Sequence, residues 1–174
     1  MHYGNRVTNW SEYMSGEHPY RVSAWWASGR TGLAKCESAP NAIHFSESVE
    51  LGGLEGRWTP EQLLLCALAA CFTTTFEAVA RGAKFAYTDL EVEAEGMVPK
   101  DRAGCTFTEI VLRPRLTVQS EEDLEEGMGL LRRAKSLCVI ARAISVPQTT
   151  EPKVEVGKMS PGGWVAESTV KLGV

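Results

Sequence analysis

The sequence lacks several features by which whole classes of protein are identified. It carries 18 lysines and arginines against 22 aspartates and glutamates, so it has no excess of basic residues to bind nucleic-acid phosphates. No apolar run approaches the length of about 20 residues that a membrane-spanning helix needs. The N-terminus shows no basic segment followed by an apolar one, which a signal peptide would require. We therefore expect a cytoplasmic protein that binds neither nucleic acid nor membrane.

Cysteine is present, but not in the pattern of a disulfide framework. The five cysteines are odd in number and widely spaced, and a chain of 174 residues can fold without disulfides. No Cys-x-x-Cys pair occurs and the three histidines share no ligand spacing with a cysteine, so we expect no bound metal. The cysteines are then either core side chains or redox-active thiols: Cys36, Cys66, Cys71, Cys105 and Cys138.

Turn and strand signals divide the chain into an arm and one domain. Residues 1–19 contain glycine and proline without periodicity, and we interpret them as an N-terminal arm. Residues 20–174 alternate between strand patterns and two long helices, which predicts a single α+β domain with mostly antiparallel sheets. Pro114 interrupts one strand pattern and predicts an edge or a bulge. The predicted strands are 20–27, 33–38, 41–51, 90–98, 106–118, 153–157 and 163–174.

The first helix is predicted from its ends. Thr59 is a natural N-cap, Pro60 fits the first helical position, and Glu61 lies in the positively polarised first turn. Gly82 can supply the positive φ of a C-cap. The helix between them is apolar nearly all round, which is typical of a helix that is buried on every side. Because one chain of this size has few layers to cover it, we expect a second copy to do so in an intertwined dimer.

The second helix is predicted to begin at Ser120 and to end at Pro147. Asp123 follows Ser120 at the spacing of an acidic capping box. Its first turns are acidic and its second half is basic, which favours the helix dipole at both ends.

Each helix carries one cysteine among small residues, Cys71 in the first and Cys138 in the second. Small faces let helix axes approach to about 8 Å, which brings facing Cα atoms within the range that a disulfide spans. Cys66 cannot pair with Cys71, because the two lie about 140° apart around one helix. The alternative is that both helical cysteines are inert packing, as most buried cysteines are.

Four short motifs together resemble one known family. The segment "TPEQLLLCALAACF" (59–72), followed far downstream by a helical "SLC" (136–138), closely resembles the OsmC/Ohr family of organic hydroperoxide reductases. The turn "SGRTG" (28–32) and the later "VELGG" (49–53) are similar to motifs of the same family. The resemblance covers roughly residues 20–156. It implies antiparallel sheets around two long central helices in an intertwined homodimer.

The same resemblance implies a role for each of four residues. Cys71 would attack the hydroperoxide O–O bond as a thiolate and become a sulfenic acid, and Cys138 would condense with it to a disulfide. Arg30 would stabilise the Cys71 thiolate, and Glu61 would hold and orient Arg30. No cofactor would be bound, and an external dithiol, such as a dihydrolipoyl group or a lipoylated protein, would restore the thiols.

The chemistry of a buried thiol agrees with these roles. A thiol in an apolar helix is mostly protonated, and Cys71 lies too far along its helix to feel the N-terminal dipole. A cation must come from elsewhere, and an arginine in a glycine-flanked turn can supply it. Glu61 lies about 15 Å from Cys71 along the axis, so it would meet the site across a dimer interface or through Arg30. Without the resemblance, Glu61 is a first-turn charge and Arg30 an exposed turn residue.

The sequence leaves three functions open. The first is a thiol-dependent peroxidase that reduces organic hydroperoxides to alcohols. The second is a non-catalytic relative that binds a small apolar ligand or acts as a redox-responsive dimer, and the third is a structural protein with buried cysteines. Apolar side chains near the cysteines could line a hydroperoxide pocket or belong to the core: Leu68, Phe72, Phe76, Leu137 and Ile140. Trp25, Trp26 and Trp58 are candidates for the cap of such a pocket.

The sequence departs from the family pattern after its second cysteine. Typical members continue with "PYS" or "PVS", whereas this chain continues with "VIA" (139–141). The missing proline puts the presentation of Cys138 in question.

Overall fold

A computed structural model describes residues 19–99, 106–160 and 163–165, which fall into two compact units, Met1–Leu63 and Leu64–Val174. The described elements confirm the predicted α+β architecture. The predicted arm apart from its last residue, Cys105, and most of the predicted strand 163–174 lie outside the described residues. The single domain over 20–174 stays a prediction.

The first unit is built on a three-stranded antiparallel sheet. Its strands are β1 (Ser23–Ser28), β2 (Thr31–Lys35) and β3 (Ile43–Phe45), and β2 is the central one. The predicted strand 41–51 is wrong beyond Phe45, because the chain folds there into a short 3₁₀ turn, Val49–Leu51. A left-handed glycine, Gly52, ends that turn. Every residue of β1 is exposed, and Trp25 and Trp26 are about half exposed.

The long helix α1 (Pro60–Ala83) begins as predicted. The Thr59 amide donates to Gln62 Oε1 at 3.0 Å and the Gln62 amide donates to Thr59 Oγ1 at 3.3 Å, which is a reciprocal capping box. The predicted C-cap at Gly82 is wrong, because Gly82 lies inside the helix. Lys84 takes the left-handed conformation instead (φ 55°), and the Phe85 amide closes the end on the Ala80 carbonyl at 2.9 Å.

The second unit contains a four-stranded sheet. Strands β4 (Asp89–Met97) and β5 (Glu109–Val118) pair antiparallel, which confirms the predicted strand pair. Two short strands pair parallel to β5: β6 (Gln148–Thr150) and β7 (Lys153–Val156). The sequence pattern did not predict this parallel pairing. Strands β8 (Lys158–Ser160) and β9 (Gly163–Val165) form a separate antiparallel pair.

Pro114 lies in a central strand, so its prediction as an edge or bulge residue is wrong. It is buried and pairs with Val92 of β4. On the other side of β5, the register with β6 ends at Leu112 and the register with β7 begins at Arg115. The proline ring therefore occupies the gap between two parallel partners, where the ladder does not continue.

The second helix is interrupted, so its predicted continuity to Pro147 is wrong. Helix α2 (Asp123–Leu137) ends before Cys138, and a short helix α3 (Val139–Ala143) follows it. The predicted start with a capping box at Ser120 is wrong, because α2 begins at Asp123. Ser120 Oγ donates to Asp123 Oδ2 at 2.8 Å, a bond between two side chains rather than the side-chain-to-backbone bonds of a capping box. Cys138 has extended backbone (φ −62°, ψ 112°), and this residue makes the break.

Within the part of the chain that the structure describes, only one side of α1 is covered. The buried side packs against β5 and α2 in one core cluster, and its members on α1 are Leu68, Phe72, Thr75, Phe76, Val79 and Ala80. The other side remains bare: Leu64, Cys66, Ala67, Ala70 and Thr74. By length and composition α1 could cross a membrane, with a mean hydropathy of 1.9 and 33% of that window buried, so the expectation that no run approaches that length is wrong. A core helix of a soluble protein passes the same test.

Candidate active site

Cys71 lies in the middle of α1 and is partly buried as a free thiol. The hydroxyls that follow it are engaged by the backbone. Thr75 Oγ1 donates to the Cys71 carbonyl at 2.7 Å, and Thr74 Oγ1 donates to the same carbonyl at 3.1 Å. Bonds of this kind are common for threonine inside helices. The hydroxyls that are nearest to Cys71 along its helix therefore already donate hydrogen bonds to the backbone.

Cys138 is the fully buried member of the predicted pair. Its amide donates to the Ala134 carbonyl at 2.9 Å, which completes α2, and its carbonyl accepts from the Arg142 amide at 3.1 Å, which starts α3. Ala134 and Ala141 beside it are buried as well, at 0% and 7% exposure. The chain therefore leaves the helix at Cys138 although valine, not proline, follows it.

The two thiols of Cys71 and Cys138 lie next to each other. Burial raises the pKa of the Cys138 thiol to about 11, and a side-chain hydrogen bond with Cys71 and the charge of Cys71 act in the same direction. A backbone hydrogen bond from Ala141 and the charge of Lys135 act in the opposite direction. Both cysteines are free. The arrangement is a reduced dithiol contributed by two different helices.

Arg30 lies in the β1–β2 turn of the first unit, where a network of hydrogen bonds holds it. Its guanidinium Nη1 donates to the Gly52 carbonyl, so the "SGRTG" and "VELGG" motifs meet at this contact. Ser46, which is 1% exposed, donates from Oγ to the Arg30 carbonyl at 2.8 Å and accepts from the Leu54 amide at 3.1 Å. Gly52 has φ 88°, and a Cβ there would lie 2.9 Å from Arg30 Nη1. Both the backbone and the side chain of Arg30 are thereby fixed.

Ser46→Ala should destabilise the protein by about 1–2 kcal/mol, because it leaves the Arg30 carbonyl and the Leu54 amide, whose bonds to the buried Ser46 are partly buried, without their shared partner. Urea denaturation of the reduced protein measures the effect. Ser28→Ala, at an exposed strand position, is the control and should change the stability by no more than about 0.5 kcal/mol. Equal stabilities for the two variants would contradict the bridging role of Ser46.

Glu61 is exposed in the first turn of α1. No ion pair within 4.0 Å joins it to Arg30, although both belong to the part of the chain that the structure describes. The structure therefore brings together Cys71 with Cys138, and Arg30 with Gly52, but not Arg30 with Glu61. The approach of Arg30 and Glu61 to Cys71 stays a prediction.

Sequence reasoning treated several apolar residues as lining a pocket or forming the core, and the structure places them in the core. Leu68, Phe72 and Phe76 are fully buried, and Leu137 and Ile140 pack against them in part. The tryptophans proposed as a cap are about half exposed.

Three polar residues escaped the sequence reasoning about the site: Ser46, Lys135 and Gln148. Serine and glutamine at these positions have no local signal, since their partners are distant in sequence or are backbone atoms. Lys135 was recognised only as one of the basic residues in the second half of its helix. Its position next to Cys138 in sequence is a signal that could have singled it out.

Comparison with known proteins places this geometry in a family. The model of the family described as OsmC-like protein matches residues 53–153. The uncharacterized protein YmaD of Bacillus subtilis is 28% identical over 146 residues, which cover 81% of this chain and 97% of YmaD.

Solved structures share the fold. An OsmC-like protein of unknown function from Vibrio cholerae superposes with a TM-score of 0.68 at 19% identity, covering 78% of this chain and 99% of that one. The organic hydroperoxide resistance protein OsmC of Legionella pneumophila superposes with a TM-score of 0.63 at 24% identity, covering 80% of this chain and 100% of that one. Since the family model spans more than half of the sequence, this chain belongs to the family of OsmC-like proteins.

Proposed function

We propose that this protein is a thiol-dependent peroxidase that reduces organic hydroperoxides to alcohols. The observation that carries the proposal is the contact between the reduced thiols of Cys71 and Cys138, which come from two different helices. A structural relative from L. pneumophila is named for organic hydroperoxide resistance, which supports the same chemistry.

The reaction divides into two steps at the two sulfurs. The Cys71 thiolate attacks the outer oxygen of the hydroperoxide, the O–O bond breaks, and the alkoxide leaves and takes up a proton as the alcohol. Cys71 is then a sulfenic acid. The Cys138 sulfur attacks the Cys71 sulfur, the S–O bond breaks, and water leaves as the disulfide forms.

The different burial of the two thiols supports this assignment of roles. Cys71 is partly exposed, so a hydroperoxide can reach it, whereas Cys138 is fully buried and meets only the sulfur beside it. A peroxidatic cysteine must be accessible, and a resolving cysteine needs only to reach its partner.

The remaining assignments complete the proposal. Arg30 stabilises the Cys71 thiolate, and Glu61 orients Arg30 across a dimer interface. A second copy of the chain covers the bare side of α1, because that much apolar surface on one helix is typical of an interface. An external dithiol of the lipoyl type reduces the disulfide in the cytoplasm, where thiols are kept reduced.

Rapid mixing of the reduced protein with cumene hydroperoxide, followed by counting of free thiols, tests the function. We expect each chain to lose the two thiols of Cys71 and Cys138 and to retain the other three, those of Cys36, Cys66 and Cys105. A variant with Cys36→Ser, Cys66→Ser and Cys105→Ser is the control and should also lose two thiols. If the dithiol survived equimolar hydroperoxide, the protein would be a ligand-binding or structural relative instead.

A further inference from the structure

The resolving step of the proposed reaction poses a problem that the two cysteines do not solve by themselves. A thiol attacks a sulfenic acid as its thiolate. Burial raises the pKa of Cys138 to about 11. At neutral pH only about one molecule in 10⁴ would then carry the Cys138 thiolate. A positive charge next to Cys138 would increase that fraction.

Lys135 lies where such a charge is needed. It lies in the last turn of α2, three residues before Cys138, whose amide closes that turn on the Ala134 carbonyl at 2.9 Å. Each group affects the pKa of the other. The charge of Lys135 lowers the pKa of Cys138, and the Cys138 thiolate raises the pKa of Lys135.

The ammonium group of Lys135 is held in place by Gln148, the first residue of β6. Lys135 Nζ donates to Gln148 Oε1. The amide nitrogen of Gln148 donates in turn to the carbonyls of Ala141 at 2.8 Å and Ile144 at 3.0 Å, at the end of α3. Gln148 thus connects the lysine to the short helix that begins immediately after Cys138.

A purely structural role explains this arrangement less well. A cation near a helix C-terminus is favourable, but an exposed side chain such as Arg133 provides that effect without burial. Lys135 is partly buried, and burial is the main cause that lowers its pKa. Within the described ranges no carboxylate lies within 4.0 Å of its ammonium group. The charged partner that remains is the Cys138 thiolate.

We propose that Lys135, held by Gln148, stabilises the Cys138 thiolate as it attacks the Cys71 sulfenic acid; this rests on the proposed function. The S–S bond forms while the S–O bond of the sulfenic acid breaks. The hydroxide that leaves takes up the proton that Cys138 released, so water is the product. Lys135 stays protonated throughout, and the hydroperoxide remains the only oxidant.

Single-turnover oxidation of matched variants tests the proposal. Lys135→Met removes the charge and keeps most of the side-chain length, Lys135→Arg keeps the charge, and Arg133→Met removes an exposed charge from the same helix. With cumene hydroperoxide, Lys135→Met should form the sulfenic acid at the wild-type rate but the disulfide about 3- to 10-fold more slowly. Lys135→Arg and Arg133→Met should stay within about twofold of wild type.

The pH profile separates this role from a loss of packing. Among the described residues, the titratable groups that act on the pKa of Cys138 are Cys71 and Lys135. The rate of disulfide formation rises with pH as Cys138 ionises, and in Lys135→Met this rise should move to higher pH. Gln148→Leu, which releases the lysine without removing it, should also slow disulfide formation. Wild-type rates and profiles in both Lys135→Met and Gln148→Leu, or an Arg variant as slow as the Met variant, would overturn the proposal.

Diamide keeps this test independent of peroxidase activity. It oxidises dithiols without a peroxide, and Cys138 must still attack a sulfur-linked adduct on Cys71. If the wild-type protein failed to react with cumene hydroperoxide, the proposed function would fall. A slower diamide-driven disulfide in Lys135→Met would still support the action of Lys135 on Cys138, and an unchanged one would overturn it.

Discussion

Cys71→Ser is expected to abolish the consumption of organic hydroperoxide, with a loss of at least about 10³-fold in the rate of oxidation. A serine hydroxyl is not ionised at neutral pH, and its oxygen cannot take up the oxygen atom that a thiolate sulfur accepts. Rapid mixing with cumene hydroperoxide, monitored by product alcohol and by free thiols, measures the loss.

Two further cysteine variants make this result specific. Cys66→Ser lies on the same helix at an exposed position and should keep the wild-type rate. Cys138→Ser should react once and then accumulate a sulfenic acid at Cys71, because the thiol that resolves it is missing. If Cys71→Ser turned over hydroperoxide at the wild-type rate, another group would have to be the peroxidatic one.

Phe76→Ala should be the most destabilising single substitution that we consider, at about 3–5 kcal/mol. Phe76 is completely buried on the covered side of α1, and its ring meets that of Tyr87 edge-on, with centroids 5.2 Å apart and planes at 78°. The substitution removes the ring from the core and leaves a cavity that the surrounding helix and strands cannot close. It also removes an aromatic pair worth about 0.5–1.5 kcal/mol.

Urea denaturation of the reduced protein at a fixed protein concentration measures this loss, since the stability of a dimer depends on concentration. Met97→Ala is the control, because Met97 is 59% exposed at the end of β4 and should change the stability by no more than about 0.5 kcal/mol. A loss below about 1 kcal/mol for Phe76→Ala would mean that the ring is not part of the core of the folded protein.

The break at Cys138 is not produced by a proline. The family pattern follows its second cysteine with proline, which cannot continue a helix. In this chain valine follows, and the backbone nevertheless leaves the helix at Cys138. The residues on the two sides of the break, Ala134 and Ala141, are both buried in the core cluster. Lys135 and Gln148 then connect the two helical segments.

Three errors of the sequence predictions concern glycine and proline. The sequence predicts that Gly82 and Pro147 end the two helices and that Pro114 is an edge or bulge residue. Instead α1 continues through Gly82 to Ala83, the central strand β5 contains Pro114, and α2 ends before Cys138. At Pro114 the tertiary structure gives the reason, because the residue lies in the gap between the parallel partners β6 and β7. Propensity is a weak prior that such contacts override.

Local chemistry, by contrast, was predicted correctly. The N-cap Thr59 at the start of α1 and the alternation of β4 and β5 depend on residues close together in the chain or on a simple period. The motifs around Cys71 likewise identified the family, and the small residues around both cysteines predicted that their helices could approach.

The sequence by itself thus determined the fold class, the long helix α1, the strand pair β4 and β5 and the family, because each is encoded in short segments. Only the tertiary structure decided that one thiol is accessible and the other sealed, that Ser46 and Gly52 hold Arg30, and that a lysine anchored by Gln148 lies at Cys138. These properties arise from contacts between segments that are far apart in the chain. Burial and electrostatic environment exist only once those segments have packed together.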